Sequence, residues 1–157
     1  MLTTITINKL SVYNEVAKTT SYQGVKKGDD ESAYERIFTK DEDRLMLERY
    51  WMEASSAVTD QLKPFVTEVT SQSDSQTVDL TQNYTVSLAF SVSYDERLTT
   101  SVKASLFSFF VSYITSKWMR LSEPGTADTY AADAAAFLED AMRKVYFKRR
   151  PRRVKPT

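Results

Sequence analysis

The sequence predicts an α+β domain, mainly helical. Three to four helices pack with a small antiparallel sheet (a long strand or hairpin near 77–94), and an extended basic C-terminal tail follows. Three observations carry that expectation. Apolar residues recur at helical spacing over long stretches of the 157-residue chain. Apolar residues alternate strictly with small or polar ones across 84–94. Residues 143–157 hold eight bases and no acid. A chain of this length buries about 70% of the surface it exposes when unfolded, so no covalent staple is required. Residues 1–148 are expected as one globular domain and 149–157 as the tail.

The elements follow in order. Residues 2–8 alternate and are rich in β-branched side chains, which suits a short strand. Leu10, Tyr13, Val16 and Ala17 have helical spacing, giving a short helix to about Thr19. Residues 21–30 contain Gly24, Gly28 and the run KKGDD, and are expected as an exposed loop. One or two helical turns are expected within 31–38. Thr39 and Glu42 have capping-box spacing, and Asp41, Glu42 and Asp43 favour the positive end of a helix dipole. Leu47, Tyr50, Trp51, Ala54, Val58, Leu62 and Phe65 then form one stripe. Pro64 must end or kink that helix near 61–63, because it lacks an amide hydrogen.

Residues 70–76 are polar throughout and are expected as a connection. Val78 and Leu80 suggest a short strand, with a hairpin turn at 81–83 and a long strand over 84–94, about 36 Å if straight. One face of that strand belongs on a core and the other toward water or a partner. Asp95 is placed to cap a helix over about 96–121, whose centre at 106–114 is apolar nearly all round. Such a helix is buried on several sides, or faces a neighbouring subunit in part. The last helix is expected over about 127–148, with Tyr130, Ala134, Phe137, Leu138, Ala141 and Val145 as its stripe. Trp51 and Trp118 both read as core.

The chain has no Cys and no His. Disulfides, thiol nucleophiles, Ser-His-Asp triads and His/Cys zinc sites are therefore excluded. Three glycines cannot make a phosphate-cradling loop. The acids Asp29, Asp30 and Glu31 lack the alternating spacing of a calcium loop, and no carboxylate pair is recommended by its spacing. No enzyme, cofactor or metal is expected. No window holds 18 uninterrupted apolar residues, so no membrane span is expected, and the alternating N-terminus does not look like a secretory signal.

Charge is segregated. The chain has 21 bases and 21 acids, but Arg143, Lys144, Lys148, Arg149, Arg150, Arg152, Arg153 and Lys155 crowd its end, leaving residues 1–142 at about −8. These eight are the candidate site residues, for partner docking or phosphate contact. Pro151 and Pro156 favour an extended segment. A plain solvated terminus is the alternative.

Two segments also resemble a known family. DEDRLMLERYWMEASSAVTDQLKPFV resembles the first long helix of small head–tail connector (adaptor, or neck) proteins of tailed bacteriophages. SLFSFFVSYITSKWMRLSEPGTADTYAADAAAFLEDAMRKVYFKRRP is similar to the aromatic-rich helix, turn and terminal helix of proteins found with phage head–tail genes. The N-terminal strand and helix and the alternating strand from Tyr84 go beyond a minimal helical connector. The resemblance implies a non-enzymatic virion protein forming a homo-oligomeric ring, dodecameric in its expected form, at the head–tail interface. It implies the portal protein and a neighbouring neck or tail protein as partners, and host cytoplasm as the place of assembly. Non-specific contact with packaged DNA would be sequence-blind. Two other classes stay open: a nucleic-acid-binding accessory protein using the basic tail, and a tail completion or terminator protein.

Overall fold

The structure, a computed structural model, describes residues 2–26, 32–70 and 78–151. It is mainly helical with a small antiparallel sheet, in the order β1 (Leu2–Ile7), α1 (Lys9–Lys26), α2 (Ala33–Ile37), α3 (Arg44–Leu62), β2 (Val66–Thr70), β3 (Tyr84–Ala89), α4 (Thr99–Ser122) and α5 (Pro124–Val145). Short 3-10 turns at Asp41–Asp43 and Glu96–Leu98 lead into α3 and α4. Four of the helices are long, and α4 is the central one.

The core follows the apolar patterns. Leu47, Tyr50, Trp51, Ala54, Val58 and Leu62 of α3 are buried. The Trp51 ring lies 4.6 Å from Phe110 of α4, which lies 5.5 Å from Tyr84 of β3. Within the apolar centre of α4, Leu106, Phe109 and Phe110 are buried, and Phe107, Val111 and Tyr113 are partly buried against the same core. The chain's own elements bury one side of that stretch and cover the rest in part. Helix α5 returns along α4 after a turn, with Pro124 in its first turn, where a missing amide hydrogen costs no bond. Its predicted stripe holds for Ala134, Ala141 and Val145, whereas Phe137 is 37% exposed.

The sheet has the order β1-β3-β2. Ile5 and Val69 both stand opposite Val86 across the central strand. Ile5, Ile7, Tyr84, Val86 and Leu88 face the core. On the other face the Thr4 and Ser87 hydroxyls lie 3.3 Å apart, and those of Thr6 and Thr85 3.2 Å apart.

Several sequence expectations need correction. No strand forms at 78–80. Asp79 instead folds the chain, its carboxylate accepting from the Thr81 amide at 2.9 Å and the Thr81 hydroxyl at 2.6 Å. The expected hairpin partner is replaced by β1 and by β2, Val66–Thr70, for which no strand was expected. The strand from Tyr84 stops at Ala89, although Phe90 and Tyr94 stay buried; Val92 sits in a turn and is 85% exposed. The cap before α3 is one residue late. The Lys40 amide donates to Asp43 Oδ2 at 2.8 Å, while Thr39 is buried and its amide donates to Thr20 Oγ1 at 3.1 Å. The polar connection at 71–76 and Asp29, Asp30 and Glu31 lie outside the described residues.

Helix α1 begins with Asn8, whose side chain accepts from the Ser11 amide at 2.9 Å. It runs on through Lys26 instead of yielding to a loop at 21. Gly24 explains the misreading. It is a packing glycine: a Cβ there would stand 2.8 Å from the Tyr34 Cα of α2. In a solitary helix Gly→Ala stabilises by about 1 kcal/mol. Here Gly24→Ala is expected to destabilise by about 1–3 kcal/mol in urea unfolding, because the clash is with backbone.

Among the described residues, the Thr115 hydroxyl of α4 is the buried side-chain polar atom without a hydrogen-bond partner. Thr115→Val removes that cost and keeps the shape. It is expected to raise stability by about 1 kcal/mol, read as a higher urea midpoint at unchanged slope.

A buried polar network fastens the start of α1 to α3. Lys9 Nζ donates to Glu48 Oε2 at 3.0 Å and to the Asp79 carbonyl at 3.2 Å. The Tyr13 hydroxyl donates to Glu48 Oε1 at 2.7 Å. Burial, then the Glu48 bond, pushes the Tyr13 phenol well above its ordinary range. The Lys9 ammonium also stands 5.5 Å from the Trp51 ring centre.

Candidate functional site

The end of α5 is fastened to the segment that precedes α4. Met142 and Val145 bury the last turn. Beyond it, Lys148 pairs antiparallel with Tyr94, and the Arg149 amide donates to the Ser93 carbonyl at 2.7 Å. Ser93 and Tyr94 are positioned by their own chemistry. The Tyr94 ring stacks 4.3 Å from Phe90, and a turn from Ser91 returns the Tyr94 amide to the Ser91 carbonyl at 3.0 Å. Phe65 extends the aromatic row, 5.3 Å from Phe90 and 5.4 Å from Tyr146.

Asp95 caps the turn into α4, accepting from the Arg97 amide at 3.1 Å. The Arg97 guanidinium grips the same carboxylate with two bonds, at 3.0 and 2.8 Å. Those Arg97 contacts hold the Asp95 carboxyl below its ordinary range, and Arg149 adds to the effect.

The result is a basic and aromatic corner. Asp95, Glu96, Arg97, Phe147, Arg149 and Arg150 line a cleft of about 490 Å³. Val92, Ser93, Arg149, Arg150 and Pro151 line a second of about 450 Å³. Tyr146 and Phe147 are more than half exposed. A third cleft, of about 240 Å³, lies between Leu98, Phe147 and the Asp140, Arg143 and Lys144 face of α5.

The predicted site residues separate into three groups. Arg149 and Arg150 line both larger clefts, and Lys148 stands between them and α5. Arg143 pairs with Glu139 of its own helix at 3.1 Å, and Lys144 pairs with Asp140 at 2.7 Å and reaches Ser105 of α4. Arg152, Arg153 and Lys155 lie outside the described residues. Sequence reasoning missed Arg97, Val92 and Phe147, which the Tyr94 and Lys148 pairing brings to the basic run. The dipeptide Tyr146-Phe147, set against that run, was the available signal.

Ser105 of α4 joins the pair of Lys144 and Asp140, donating to Asp140 at 2.8 Å and accepting from Lys144 at 2.9 Å. The bonds from Lys144 and Ser105 hold the Asp140 carboxyl below its ordinary range. The folded protein thus binds that proton more weakly than the unfolded chain. This contribution is whole above the unfolded carboxylate value, about 4, and is lost as pH falls below it. Asp140→Asn is expected to flatten the acid limb of the stability–pH curve, measured by urea midpoints between about pH 5 and 2.

Among the described residues no group of three or more carboxylates is placed to hold a metal ion, and no helix is long and apolar enough to cross a membrane. No protein-family model, curated protein or solved structure matches the chain.

Proposed function

We propose that this chain is a non-enzymatic structural subunit of a tailed-phage head–tail connector, forming a ring between the portal and the tail. The observation that supports it most is the fixed root of the basic run. Pairing of Lys148 with Tyr94 aims Arg149 and Arg150 outward from one corner of an otherwise acidic body. An arm fixed at its base loses less entropy on docking than a free tail, so it suits a permanent protein joint. The two segments that carry the connector resemblance, α3 and the α4–α5 pair, also pack on one another through Trp51 and Phe110.

The test is the mass of the full chain and of a chain ending at Val145, by light scattering and electron microscopy, alone and mixed with a portal ring. Rings, alone or seated on the portal, are the expected result, with loss on truncation. A strict monomer that ignores the portal overturns the reading. The exposed Lys148, Arg149 and Arg150 then favour the nucleic-acid accessory role. In that case duplex affinity falls with salt at a log–log slope of at most about −7 for eight phosphate contacts.

A further inference from the structure

We propose that the outward face of α5 is the seat for the basic corner of a second copy of this chain. Residues 124–142 of α5 carry four acids and no base. Two of the acids, Asp128 and Asp133, are exposed and make no ion pair with any described residue. Between and beyond them the exposed surface is Thr129, Ala132, Ala135, Ala136 and the edge of Phe137. It is an acidic surface of small side chains, alanines with one threonine. The corner is its complement: Arg149 and Arg150 stand beside Phe147, and of the two acids in the same cleft Asp95 is paired with Arg97.

One molecule cannot satisfy both surfaces by itself. At 1.5 Å per residue, Asp133 and the end of α5 are separated by about 20 Å along a rigid helix, and the pairing of Lys148 with Tyr94 holds the corner in place. The partner must therefore be another molecule, and a second copy brings the matching charge. Duplex DNA fits less well, because phosphates repel the α5 face and offer nothing apolar to Phe147. Two different surfaces per subunit make a contact that can repeat around a ring. In that respect the inference rests on the connector reading and names the surfaces that would close its ring.

A charge-swap mixture tests it. Variant one carries Arg149→Glu and Arg150→Glu; variant two carries Asp128→Lys and Asp133→Lys. All four positions are exposed, and circular dichroism melts of each variant confirm folding. Each variant alone is expected to lose self-association at least about tenfold at low salt, by sedimentation velocity. Their equal mixture is expected to regain it, since each reversed surface then meets a reversed complement. Recovery as a species of two copies keeps the contact and removes the ring. Loss without recovery in the mixture, undiminished association of either variant, or a wild-type chain monomeric at all concentrations overturns the contact. The connector reading then still stands or falls on portal binding. Loss of duplex binding by variant one with association unchanged also overturns it and gives the corner to nucleic acid.

Discussion

Lys9→Met is expected to destabilise the fold by about 3–5 kcal/mol, the cost of removing one partner of a buried ion pair. Lys9 and Glu48 are both fully buried, and their 3.0 Å contact joins the first turn of α1 to α3. Methionine keeps the length of the lysine stem but gives Glu48 no cation and leaves the Asp79 carbonyl without its ammonium donor. The Tyr13 hydroxyl still donates to Glu48, which limits the loss without removing it. The decisive comparison is the double variant Lys9→Met with Glu48→Met. Removing both charges is expected to recover a large part of the loss, because desolvating the pair offsets much of its attraction. Urea midpoints measure both. A single variant within about 0.5 kcal/mol of the parent would show that water reaches the pair.

Phe110→Ala is expected to cost about 3–5 kcal/mol through the cavity it leaves. Phe110 is fully buried where α3, α4 and β3 meet, in ring contact with Trp51, Tyr84 and Phe109. Three aromatic neighbours anchored on three elements cannot all move in to fill the gap. The near-ultraviolet signal of Trp51 should weaken along with stability. Val92→Ala is the control. At 85% exposure it is expected to stay within about 0.5 kcal/mol, and a larger effect would mean that Val92 is covered in solution.

Long helices were legible because their signal is local. The stripe from Leu47 to Leu62 fixed one face of α3, and Pro64 fixed its end. What pairs across distance was not legible. Strand β2 is five residues whose partner is set by tertiary packing, and Val78 and Leu80 imitate a strand while Asp79 serves Thr81 and Lys9. Gly24 reads as a loop residue until Tyr34 is seen against it. Alternation from Tyr84 foretold burial better than it foretold strand length, since Phe90 and Tyr94 stay inside after the ladder ends. The site shows the same division. Its bases stand in one run at the chain's end, whereas Arg97 and Val92 join them only through the pairing of Tyr94 with Lys148. Charge composition picks out the basic run and not the surface that Lys148 and Arg149 adjoin.

The strand order has a consequence for the timing of synthesis. The centre of the sheet, β3, is the last of its three strands to be made, and its bonds to β1 span about 80 residues. At roughly 5–20 residues per second, a ribosome leaves β1 without its neighbour for about 4–16 s. Strand β2 waits as well, since neither outer strand borders the other. The sheet therefore assembles in one event when a single hexapeptide emerges, with α4 and α5 still to come. Until then the nascent chain carries two bare strands, and the three threonines of β1 keep half of the earlier one wet.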